Sequence, residues 1–147
     1  MNRGFSLLEL LLVIALLIFL VGLTLPISLY FFQTILLDKA TITVIDTLRR
    51  AQLQAMLQKN DSSFGVKIFP GAYYYVLFQG DSYDSRVQNE DEYFFVWGDI
   101  EVVSGRVDEL VFSKFTGTPS ITGTVYVTLG NNIEGININS EGKIERQ

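Results

Sequence analysis

Leu37-Asp38-Lys39-Ala40-Thr41-Ile42-Thr43-Val44-Ile45-Asp46-Thr47-Leu48-Arg49-Arg50-Ala51-Gln52-Leu53-Gln54-Ala55 is the stretch on which the fold turns. Leu37, Ala40, Val44, Leu48, Ala51 and Ala55 recur every three or four residues, Thr41 and Ile45 widen the row, and Asp38, Lys39, Asp46, Arg49 and Arg50 take the opposite positions. A helical period with charge on its far side predicts an amphipathic helix lying with its apolar face on a globular body. Asn60, Asp61 and two serines supply stop signals, so the helix is expected to fray between Gln58 and Ser62.

Beyond that point the period becomes that of strands. Phe64, Val66 and Ile68 alternate with Gly65 and Lys67 up to Pro70-Gly71, and Tyr73 to Gln79 follows, which predicts a hairpin. Tyr93 to Trp97, Ile100 to Ser104, Glu109 to Phe112, Val125 to Leu129, Ile133 to Asn139 and Lys143 to Glu145 complete the set, with glycines between them. Short strands so spaced predict an antiparallel sandwich or a pair of curved sheets. Asp81 to Glu92 is polar and acidic and is expected to be a mobile loop. No repeat with a period of about 20–50 residues is visible, which argues against a solenoid.

Upstream of the amphipathic stretch the chain reads Met1-Asn2-Arg3-Gly4-Phe5-Ser6-Leu7-Leu8-Glu9 and then carries no charged side chain before Asp38. Leu10 to Leu25 is almost wholly aliphatic and, continued through Pro26 to Leu37, is long enough to span a bilayer. One transmembrane span is the expectation, with Arg3 setting the N-terminus in the cytoplasm. A secretory signal places its small cleavage residue after the apolar core, whereas here Gly4 precedes it. A cut between Gly4 and Phe5 would remove four residues and leave the apolar segment on the mature chain. Glu9 would then be costly in an apolar setting unless paired. Its nearest cation would be the freed α-amine of Phe5, on the same chain or on a neighbour. Pro26 has no N–H for the carbonyl of Gly22, so a kink or loosened turn is expected between them.

The short basic leader, Gly4-Phe5, Glu9 and the apolar run together resemble the class III signal of type IV pilins and type II secretion pseudopilins. Leu48-Arg49-Arg50-Ala51-Gln52-Leu53-Gln54-Ala55 is similar to the run that ends the long helix of the GspH/FimT minor pseudopilins. Leu110-Val111-Phe112 with Thr116-Gly117, and Val125 to Gly130 with Ile136 to Ile144, resemble the way that family closes. The resemblance implies an α+β pilin fold, a long helix with a transmembrane and an amphipathic half packed on an antiparallel sheet or sandwich. Its parts would be a leader at 1–4, a transmembrane and assembly helix at 5–27, and an exported domain at 28–147, with amphipathic helix 28–59 and β-rich region 63–147. It further implies cleavage and N-methylation at Phe5 by a prepilin peptidase, pairing of Glu9 with an adjacent subunit's amine, and a helix that melts near Gly22 and Pro26. The implied partners are the peptidase, other filament subunits, membrane lipid and an inner-membrane assembly platform. The implied location is a single-pass cytoplasmic-membrane protein with its domain outside, and then an envelope filament serving protein secretion.

Charge and composition narrow the alternatives. From Lys59 onward the chain has 7 basic and 13 acidic side chains, a net of −6, which disfavours gathering a phosphate backbone. Some relatives on the FimT side bind DNA through a C-terminal glycine-arginine-x-arginine patch. Here the corresponding run is Gly142-Lys143-Ile144-Glu145-Arg146, with an acid in its middle, so a competence-type DNA-uptake pilin is the second reading. With no cysteine and no histidine the chain lacks the commonest nucleophiles, general bases and metal ligands, which argues against a membrane-anchored hydrolase and any enzyme role. No cofactor is expected. Asp81, Asp84 and Asp91, with Asn89, Glu90 and Glu92 nearby, offer oxygens for calcium, but their spacing fits no EF-hand and a solvated loop is the default. Tyr73-Tyr74-Tyr75 and Phe94-Phe95-Val96-Trp97 could stack bases. Lying in strands without adjacent cations, they are expected instead to fill a core on one face and expose rings on the other.

Overall fold

The computed structural model describes residues 6–96, 100–104 and 108–147, and 23–30 and 100–104 by their backbone alone. The chain forms two compact units, Met1–Ile35 and Leu36–Gln147, and helix α1 (Leu7–Met56) contributes to both.

Among the described residues no helix is long and apolar enough to cross a membrane. The transmembrane half expected over 5–27, and with it the single-pass cytoplasmic-membrane location, is overturned. Gly4, Phe5 and the side chain of Pro26 lie outside the described residues.

The second unit is α+β. Its helical part buries Leu37, Thr41, Val44, Ile45, Leu48, Ala51 and Ala55 of the row marked by the period of the sequence, with Ala40 half-buried. The helix stops where the backbone turns left-handed at Gln58, Asn60 and Asp61, around a short 3₁₀ turn at Lys59–Asp61. Among the described residues eight strands follow: β1 (Phe64–Ile68), β2 (Tyr74–Gln79), β3 (Glu92–Phe95), β4 (Ile100–Ser104), β5 (Glu109–Phe112), β6 (Gly123–Leu129), β7 (Asn132–Ile138) and β8 (Ile144–Arg146). They make two antiparallel sheets, ordered β3-β2-β1-β5 and β4-β6-β7-β8.

Local chemistry explains the joins. Ala72 donates its N–H to the carbonyl of Phe69 at 2.9 Å, and Gly71 sits at φ +77°. Proline then glycine at the two central positions is what such a turn requires. Gly65, on the outer face of β1, leaves no room for a side chain, since a Cβ there would lie 2.5 Å from the Phe78 ring. On the inner faces Phe64, Val66, Leu77, Leu110, Phe112, Val125, Val127, Ile136 and Ile138 close on the helix row in one core.

Tyr75 ends in that core, 2% exposed, with its hydroxyl 3.4 Å from Thr47 Oγ1. Burial pushes its hydroxyl up to about 12, against a smaller lowering by the Thr47 hydrogen bond. The folded value lies above the unfolded value, so the stability this tyrosine contributes is complete below about pH 10 and is lost as pH rises towards 12. Urea melts should show wild type losing about 2–3 kcal/mol more than Tyr75→Phe between pH 9 and 12. Equal losses in the two proteins would remove Tyr75 from the alkaline transition.

Candidate assembly interface

Ser6 immediately precedes helix α1. Its carbonyl accepts the N–H of Glu9 at 3.1 Å and that of Leu10 at 3.2 Å, and its hydroxyl oxygen lies 3.3 Å from the Glu9 N–H. Ser6 is thus the N-cap, and Glu9 is the third helical residue, the Ser-x-x-Glu spacing of a capping box. The signal was present in the sequence and the reading above did not use it. It gives Glu9 a local role besides any intersubunit one, because a carboxylate in the first turn complements the positive end of the helix.

Along the same segment the apolar side chains are bare: Leu7 is 77% exposed, Ile18 68% and Phe19 66%. Glu9 is the sole charged residue of 7–22. An exposed apolar surface of this length marks a candidate interaction face. Gly22 has open space around it.

The other sequence candidates fall elsewhere. Asp91 is engaged by a cation of its own segment. Its Oδ2 accepts a hydrogen bond from Arg86 Nε at 2.8 Å, and its side chain is 3% exposed. That hydrogen bond is the first cause holding the Arg86 guanidinium above its ordinary value. The Arg86 group also stacks 3.6 Å over the Tyr83 ring, and Val87 donates to the carbonyl of Gln79 at 3.0 Å. The 81–92 segment, expected as a loose acidic loop, is therefore tied down by an internal cation. Among the described residues no group of three or more acidic side chains is arranged to hold a metal ion.

The C-terminal basic run is also engaged. Lys143 pairs with Glu145 at 2.5 Å, and Arg146 bridges Glu134 and Asp38. Arg146 is held above its ordinary value by its hydrogen bonds to Glu134 and then to Asp38. A guanidinium already holding two carboxylates has its charge offset, which weakens its attraction for a phosphate. The aromatic runs divide by face. Tyr75 stacks on Phe94 inside the core with centroids 5.4 Å apart, whereas Tyr73, Tyr93 and Phe95 are exposed.

Periodicity did not mark Gln52. Its amide donates to the carbonyl of Gly117 at 3.0 Å and of Gly142 at 2.9 Å, fastening the helix to both C-terminal turns. Neither carbonyl is near Gln52 in sequence, so only the closed fold reveals the clamp.

Compared with known proteins, the chain matches no family model, no curated sequence and no solved structure.

Proposed function

We propose that the chain is a minor filament subunit of the type IV pilin and secretion pseudopilin class, with the N-terminal helix as its assembly element and Leu36–Gln147 as its head. The observation that carries this reading is the bare apolar surface of 7–22 with Glu9 as its single charge. Helices packing on one another remove that surface from water at about 25 cal/mol per Å², and one carboxylate among apolar side chains sets which register is satisfied. Its partner in the proposal is the α-amine freed at Phe5 when a prepilin peptidase cuts after Gly4. The paired state of Lys143 and Arg146 and the acidic head favour a secretion-type role over contact with DNA.

Glu9→Val tests this. The cut site lies upstream and is unchanged, so cleavage should proceed, while recovery in the sheared filament fraction should fall at least about tenfold, as expected when an interaction of about 1.4 kcal/mol or more is removed. Recovery of Glu9→Val at the wild-type level would reduce Glu9 to the helix cap seen at Ser6.

A further inference from the structure

β3 ends its sheet, with β2 on one side and no strand on the other among the described residues. The pairing phase fixes which of its backbone groups are engaged. Val96 donates to the carbonyl of Tyr73 at 2.9 Å, and the register runs Tyr74 to Phe95, Tyr75 to Phe94 and Val76 to Tyr93. In an antiparallel ladder hydrogen-bonded pairs alternate, so Phe94 bonds inward with Tyr75, while the N–H and carbonyl groups of Tyr93 and Phe95 face outward. Beside this end of the strand lies a groove of about 210 Å³ between the helix and the sheet, walled by Leu36, Ala40, Tyr75, Phe95 and Val96. Its one charged lining residue is Lys39.

Glu92 is held by Arg50 at 2.7 Å and Asp38 by Arg146, whereas Lys39 has no ion-pair partner among the described residues. Unpaired strand edge, apolar recess and lone cation meet in one place. We propose that the free edge of β3 docks an extended peptide segment of another protein, one that places an apolar side chain in this groove and a carboxylate on Lys39. The main-chain bonds to Tyr93 and Phe95 supply affinity, and the groove and Lys39 supply selection, the division of labour of strand addition. Long exposed edges invite indiscriminate pairing. Here the strand is four residues long, and the flanking cation restricts what can be added.

The test uses the full chain in detergent and a fluorescein-labelled hexapeptide alternating valine and threonine with one glutamate, alongside its lysine analogue. Wild type should bind the glutamate peptide saturably in an anisotropy titration. Tyr93→Pro removes an outward donor and no bond to β2, a position where proline is tolerated in an edge strand. It should keep the wild-type melting temperature within a few degrees and bind about tenfold more weakly or worse. Lys39→Glu, on an exposed helix position, should reverse the preference from the glutamate to the lysine peptide. Three results would each overturn the proposal: no saturable binding, equal affinity in Tyr93→Pro, or an oligomer of this chain that is lost in Tyr93→Pro and is not dispersed by the peptide.

Discussion

Leu48→Asp should unfold the head at neutral pH, whereas Arg50→Asp should leave it folded. Leu48 is wholly buried where the helix row meets both sheets, beside Val44 and Ala51. A carboxylate placed there would sit among buried apolar side chains. The penalty for such a group, added to the lost packing of a leucine, is several kcal/mol. That is comparable to the whole stability of a small domain, about 5–15 kcal/mol. Arg50 lies two residues along and on the opposite face, half-exposed, with its guanidinium on Glu92. Losing a pair so exposed costs about 1 kcal/mol or less. Thermal melts of the two variants check the difference, and an unchanged melting temperature for Leu48→Asp would mean that the helix does not pack as described.

The second large effect is expected at Gly142. It sits at φ +81°, and a Cβ there would lie 2.4 Å from Gln52 Nε2 and 2.9 Å from the Gly117 carbonyl. Gly130 shares the left-handed backbone at φ +59° but has nothing within 4 Å. Alanine at Gly130 therefore meets backbone strain alone, about 1 kcal/mol. Alanine at Gly142 meets the same strain and also displaces the Gln52 amide from both of its carbonyls, for a total of roughly 3–4 kcal/mol. Denaturant unfolding of both variants separates the contributions. Equal losses at the two glycines would show that the Gln52 clamp contributes nothing.

The parts of this molecule that were legible in its sequence are those governed by short-range period. The row from Leu37 to Ala55 alternates apolar and charged positions over five turns, and burial follows it except at Ala40, which is half-buried, and at Thr47, which is buried without having been marked. The Pro70-Gly71 turn and the glycine-bounded strands carry their own backbone chemistry, and each strand reappears within two residues of where composition placed it. What failed was the inference from apolarity to a membrane. A run of Leu, Ile and Val reads alike whether it meets lipid or other helices, and among the described residues no helix is long and apolar enough to cross a membrane. The acidic segment misled for a different reason. Counting carboxylates in 81–92 gave no sign that Arg86, from the same loop, would turn inward to Asp91 and organise it. Gln52 and Arg146 act across long separations, onto Gly142 and Asp38 respectively, and no local pattern encodes those closures.

For the candidate interface the sequence showed the surface and its charge but not the geometry at Glu9, where Ser6 caps the helix. Processing remains the step that distinguishes a filament subunit from any other chain with a bare apolar helix. The most direct measurement is the intact mass and N-terminal sequence of the protein recovered from sheared filaments of the native cell. The account predicts a chain that begins at Phe5 and carries one methyl group on its amine. A chain in those filaments that still begins at Met1 would contradict it.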